Sequence, residues 1–211
     1  MTISLINTGK RFNRDWIFRH VNFRFSAGIA YAITGPNGSG KSTLLQVIAG
    51  ALSPSEGKVE YFAKSNQQQT GNPLNPEHIY LHLSIAAPYL ELIEEMTLHE
   101  FLHFHHQFKP LLTYPTIPGI IALIGLEKAT HKQIRYFSSG MKQRVKLAQS
   151  VFSNTPVLLL DEPCTNLDAE GVALYQQLVT TYCKDRLIIV SSNDETEYTF
   201  CNEQLDINKY K

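Results

Sequence analysis

The nine residues Gly35-Pro36-Asn37-Gly38-Ser39-Gly40-Lys41-Ser42-Thr43 lie between a short apolar run, Tyr31–Thr34, and an amphipathic stretch, Lys41–Ala49. A glycine, four residues, then Gly-Lys-Ser is the phosphate-loop pattern. Its glycines let backbone N–H groups turn inward around phosphate oxygens. The helix that follows points its positive dipole end at the same anion. On this reading Gly35, Pro36, Asn37, Gly38, Ser39, Gly40 and Thr43 form the cradle. Lys41 reaches the β- and γ-phosphates, and the Ser42 hydroxyl serves Mg²⁺. A chance glycine-rich turn is the competing explanation, and the strand–loop–helix context argues against it.

Outward from the loop, residues 3–6 and 21–25 read as strands, the second by strict alternation. Tyr31–Thr34 is a short buried strand, and Lys41–Ala49 is a helix closed by Gly50. A strand is expected at 58–62, a polar loop at 64–76 and an alternating strand at 79–85. From Pro88 to Ala148 the pattern is helical, interrupted by Pro110, Pro115 and Pro118. Val157–Leu160 and Leu187–Val190 are apolar runs too short for helices, and residues 171–183 have helical periodicity. This order predicts an α/β domain with a mostly parallel sheet and a helical insertion. The division is about 1–87 and 149–211 for the α/β core, and about 88–148 for the helical subdomain.

At 211 residues the chain can bury a core without metals or disulfides. Lysine plus arginine equals aspartate plus glutamate at 19 each, which gives none of the basic excess of a nucleic-acid binder. Cys164, Cys183 and Cys201 are sparse and odd in number, which fits a reducing cytosol. There is no signal-peptide pattern, and no apolar run reaches the ~18 residues of a membrane span. A partner is therefore expected to supply any membrane-spanning helices.

Val157-Leu158-Leu159-Leu160-Asp161-Glu162-Pro163 sets two carboxylates at the end of a buried strand. Ligands of open α/β sheets bind beyond the carboxyl ends of the strands. Asp161 is thus placed to hold Mg²⁺ and Glu162 to polarise an attacking water.

Taken together these segments resemble the nucleotide-binding subunits of ABC transporters, and the resemblance covers essentially the whole chain. In order they are Gly35–Thr43, Phe137-Ser138-Ser139-Gly140-Met141-Lys142-Gln143-Arg144, Asp161-Glu162-Pro163 and Asn166-Leu167-Asp168. The family signature usually reads Leu-Ser-Gly-Gly-Gln; Ser138 and Gly140 match it, whereas Phe137, Ser139 and Met141 depart from it. The resemblance implies a P-loop NTPase core with a small antiparallel β subdomain. It implies ATP and Mg²⁺ as ligands and a head-to-tail homodimer or heterodimer. Ser138 and Gly140 would then touch the γ-phosphate bound by the partner chain, with Asp168 near the seam. Phe12 is the family's adenine-stacking aromatic, and Trp16 is second. An integral-membrane transporter subunit is implied as partner, with this chain peripheral on the cytoplasmic face.

Three departures bear on turnover. Asn193 holds the place of the family's histidine, and an amide donates a hydrogen bond without carrying a charge. Ile85-Ala86-Ala87-Pro88-Tyr89 lacks the usual glutamine. The signature is altered as above. Glu162, Lys41 and Asn193 are the catalytic candidates, with hydrolysis expected to be slow.

Residues 98–108 (LHEFLHFHHQF) set Leu98, Phe101, Leu102, Phe104 and Phe108 on one side. His99, His103 and His106 fall on the other. That spacing could hold a metal, but a solvated face is the stronger explanation. Pro88–Glu95 stands where family members receive a helix of the membrane subunit, and its apolar residues fit a local core equally. Cys164 is read as a packed thiol. A soluble ABC-type regulator with little hydrolysis is the alternative function. A small-molecule kinase has no use for Ser138–Arg144. The short chain is similar to the compact haem-exporter type of subunit.

Overall fold

The computed structural model describes residues 1–63 and 71–211. Most of the polar loop expected at 64–76 therefore lies outside the described residues. In chain order the strands are β1 (Thr2–Phe12), β2 (Asp15–Phe25), β3 (Ala30–Thr34), β4 (Glu56–Phe62), β5 (Leu83–Ala86), β6 (Val157–Asp161), β7 (Leu187–Ser191) and β8 (Glu203–Asp206). The helices are α1 (Lys41–Ile48), α2 (Leu98–Phe108), α3 (Ile117–Leu123), α4 (Ser139–Val151) and α5 (Ala169–Tyr182). The chain forms two compact units.

The first unit comprises Met1–Leu83, Thr155–Asp161 and Asp185–Lys211. A three-stranded sheet, order β2-β1-β4, is antiparallel throughout. A parallel sheet runs β6-β7-β3-β8 within this unit. All five residues of β6 and of β7 are buried. A strand covered on both faces needs apolar residues at every position, which is why Val157–Leu160 shows no alternation. Asp161 and Ser191 end these strands, paired in register. Phe23, Phe25 and Tyr31 pack as an aromatic cluster with centroids 4.7 to 5.8 Å apart.

Several boundaries differ from the sequence expectation. Strand β1 continues to Phe12 and β2 begins at Asp15, so the strands expected at 3–6 and 21–25 are parts of one long hairpin. Its turn uses Asn13 at φ 54, a left-handed conformation that asparagine tolerates. The strand expected at 79–85 shrinks to β5. Residues Pro76–His82 form a 3₁₀ turn, with Pro76 at its start and Asn75 capping the Glu77 N–H. Tyr80 and Leu81 are both exposed, so the apparent alternation did not mark a buried face. Strand β8 was not anticipated. Its sequence, EQLD, is polar apart from the single buried Leu205, and its pairing with β3 makes it a strand.

The second unit comprises Ser84–Asn154 and Glu162–Lys184. The span expected to be helical from Pro88 is not helical until Leu98. There a capping box starts α2: Thr97 Oγ1 accepts from the Glu100 N–H, and the Glu100 carboxylate accepts from the Thr97 N–H. Helix α4 runs past Ala148 to Val151. On α2 the inward residues are Leu98, Phe101, Leu102 and the partly buried His105. That is the i, i+3, i+4, i+7 stripe of a helix. Phe104 and Phe108, expected with them, are exposed and pack on each other at 4.8 Å.

Candidate nucleotide site

The phosphate-loop residues lie between β3 and α1 in the first unit. Gly35, Gly38 and Gly40 have φ of 145, 74 and 98°. Side chains rarely adopt such angles, so glycine is needed there. A Cβ on Gly40 would come 2.4 Å from Ile17 Cγ2, and one on Gly38 would meet open space. Gly40 is the N-cap of α1 and offers no side-chain cap, which leaves the helix start to other acceptors. Lys41 is buried, and its Nζ donates to the carbonyls of Gly35 (2.9 Å) and Pro36 (3.1 Å). Ser39 Oγ is buried without a hydrogen-bond partner among the described residues. The α1 start without a side-chain cap, the buried Lys41 and the orphaned Ser39 hydroxyl are a donor set that fits phosphate oxygens.

Ser42, the second residue of α1, donates from Oγ to Asp161 Oδ1 at 3.0 Å. Asp161 is 2% exposed. Burial pushes its carboxyl above the usual range, against the hydroxyls of Ser191 and Ser42 and the charge of Lys41. A hydroxyl and a buried carboxylate at this spacing are hard oxygen donors of the kind Mg²⁺ takes. Phe12 is 47% exposed at the end of β1, with Lys10 Nζ 5.2 Å from its ring. Trp16 is flanked by Arg11 and Arg19, 5.5 and 4.0 Å from its ring. Of the two aromatics, Phe12 is the less enclosed. Asn193 is exposed in the turn after β7, where Ser192 Oγ accepts from the Asp194 N–H.

Glu162 opens the second unit and has φ 43, a strained angle for a side-chain-bearing residue. The Thr165 N–H and hydroxyl both donate to its carbonyl, which fixes the turn. Ser138 is the N-cap of α4 and accepts from the Met141 N–H. Gly140 is tightly seated: a Cβ there would lie 3.0 Å from the Asn166 carbonyl. Asp168 caps α5 through the Gly171 N–H and faces Arg144 at 3.8 Å. Ser138, Gly140, Arg144, Asn166 and Asp168 line one cleft of about 550 Å³. A second cleft, about 440 Å³, is lined by Leu90, Glu91, Glu94, Lys142 and Lys146. Lys142 pairs with Glu94, and Lys146 donates to the Pro88 carbonyl. Tyr89 and Ile93 are exposed in the segment proposed for docking, while Leu92 is buried.

A family description for ABC transporters matches residues 18–165. The chain belongs to the ABC transporter family. It is 31% identical over 198 residues to a cytochrome c biogenesis ATP-binding export protein, CcmA, of Agrobacterium fabrum, covering 92% of this chain and 90% of that one. In fold it is similar to a putative ABC transporter ATP-binding protein of Pyrococcus furiosus, with TM-score 0.83, 19% identity and full coverage of both chains. It is similar too to the dimeric bacterial ABC transporter cassette MJ0796, with TM-score 0.77, 22% identity, and 97% and 94% coverage.

Some groups at these clefts were not legible in the family pattern. Arg144, inside the signature segment, reaches both Asp168 and the Ile124 carbonyl. Gln143 is buried on the Pro163 carbonyl at 2.6 Å, which ties α4 to the turn after Glu162. Lys211 donates from Nζ to the Ser39 carbonyl of the phosphate loop at 2.7 Å. Among the described residues no group of three histidine, cysteine or acidic side chains is placed to hold a metal, although His99 lies 4.4 Å from His103 and 5.9 Å from His131. No helix among them is long and apolar enough to cross a membrane.

Proposed function

We propose that this chain is the ATP-binding and ATP-hydrolysing subunit of an ABC membrane transporter, acting from the cytoplasmic face. The observation that carries it is the pairing of Ser42 with Asp161 beside the phosphate loop that opens α1. Loop N–H groups and Lys41 bind and neutralise the phosphates. Lys41 Nζ spends two of its three donors on the Gly35 and Pro36 carbonyls, which leaves the third for a phosphate oxygen. Ser42 and Asp161 would hold Mg²⁺, which when bound would neutralise charge on the phosphates. Glu162, next in the chain, orients the attacking water. Phe12 stacks on the base.

The open start of α4 at Ser138 and Gly140 serves a nucleotide on a second chain, so two copies, or this chain and a related one, close head to tail. The dimeric cassette of similar fold supports that arrangement. The cleft beside Leu90–Glu94 supports docking of the membrane subunit, with about 88–148 as the helical subdomain. The Agrobacterium relative is named an export protein, and export is the direction we assign. Hydrolysis is slow, because Asn193 and the Ile85–Tyr89 segment lack two groups that the family brings to the phosphates.

Tagged chain should be recovered from gently solubilised native membranes. A stoichiometric polytopic membrane protein is the expected companion. A soluble partner, with ATP present and Glu162→Gln in place to stall turnover, would favour a regulatory ATP-binding role.

A further inference from the structure

We infer that Lys211 is a positioning residue of the phosphate loop: it holds the Ser39 carbonyl and thereby aims the Gly40 N–H at the phosphates. The inference rests on the nucleotide reading given above. Lys211 Nζ donates to Ser39 O at 2.7 Å across a sequence separation of 172 residues. In a trans peptide the carbonyl and the following N–H point in opposite directions. A cation that fixes the Ser39 carbonyl on one side therefore fixes the Gly40 N–H on the other. Gly40 lies at φ 98, and a glycine populates positive and negative φ about equally and has no side chain to fix its peptide. An ammonium on the carbonyl also polarises the peptide, which strengthens its N–H as a donor.

The segment that carries Lys211 is built to reach the loop. Strand β8 pairs with β3, the strand that leads into the loop. Asp206 caps the following 3₁₀ turn, Ile207–Tyr210, through the Asn208 N–H at 3.0 Å. Ile207 is buried, and its Cγ2 would lie 2.9 Å from a Cβ on Gly35. Ile207 Cδ1 would lie 3.6 Å from one on Gly40. The turn thus backs Gly35 and Gly40, and Lys211 grips Ser39 beside Gly40. Ser39 adds a second sign that this peptide faces a ligand, for its buried Oγ has no partner among the described residues. Lys211 does not itself touch the nucleotide.

The test compares Lys211→Met, which keeps the aliphatic stem, Lys211→Arg, which keeps the charge, and Lys41→Ala. Calorimetric titration with ATP gives affinities, and the Gly40 amide resonance of ¹⁵N-labelled protein without nucleotide reports the peptide directly. Wild type should bind ATP and Lys41→Ala should not. Lys211→Met should then raise the ATP Kd about three- to tenfold, in line with a partly exposed charged hydrogen bond. It should also shift the Gly40 amide, while Lys211→Arg stays within about twofold of wild type. Unchanged ATP affinity in Lys211→Met overturns the inference. So does an affinity loss that leaves the Gly40 amide unmoved or that Lys211→Arg shares. Failure of wild type to bind ATP overturns the nucleotide reading itself.

Discussion

Glutamine in place of His105 should make the protein less sensitive to acid. His105 completes the buried stripe of α2, and its Nε2 lies 2.9 Å from Ser153 Oγ. Burial, aided by the positive charges of Lys109 and His106, lowers its pKa from 6.5 to about 4, and the Gln149 backbone opposes this only in part. Above the unfolded value the ring is neutral in both states and full stability is present. As pH falls through the interval, the unfolded chain takes up a proton that the folded chain refuses, and stability is lost. Below the folded value both states are protonated and the loss is complete.

The shift from 6.5 to about 4 sets a ceiling of about 3 kcal/mol. The ring is only partly buried, and solvent screening reduces this to about 1–2 kcal/mol. Glutamine still reaches Ser153 but does not titrate. Urea unfolding followed by circular dichroism should be run for both proteins at about pH 7.5 and about pH 4.5. Between these values wild type should lose about 1–2 kcal/mol more than His105→Gln, carboxylate effects being common to both. Losses that agree within about 0.5 kcal/mol would refute a neutral, buried His105.

Gly40→Ala should weaken ATP binding at least tenfold, about 1.4 kcal/mol, because its Cβ meets Ile17 at 2.4 Å and the backbone is left-handed. Calorimetric titration checks it. Thr97→Ala removes the capping box of α2 and should cost about 1 kcal/mol in urea unfolding, with no effect on ATP affinity. Steady-state ATP hydrolysis should fall below about 1 s⁻¹, the low end for enzymes, with Glu162→Gln lower still. A brisk rate abolished by Glu162→Gln would show that Asn193 and the missing glutamine are compensated.

The phosphate loop was legible because its information is local. Gly35, Gly38 and Gly40 are required by their own backbone angles, and Lys41 bonds to carbonyls five and six residues away. The buried strands β6 and β7 were legible because burial on both faces demands unbroken apolar runs. What the sequence hid depends on distant partners. Strand β8 exists through its pairing with β3, and nothing in Glu203–Asp206 announces it. Residues 79–85 alternate like a strand, yet 79–82 are coiled into the Pro76–His82 turn by its proline and the Asn75 cap. Helix α2 offers two stripes that share Leu98, Phe101 and Leu102; tertiary packing chose the one through His105 and left Phe104 and Phe108 outside. Lys211 meets Ser39 across 172 residues of sequence, beside the pairing of β8 with β3.

The most direct test is light scattering on size-separated Glu162→Gln protein, with and without ATP and Mg²⁺. The account predicts twice the mass of the single chain with ATP, the single-chain mass without it, and no dimer when Lys41→Ala is added. One mass under all conditions, with no ATP retained, would contradict it.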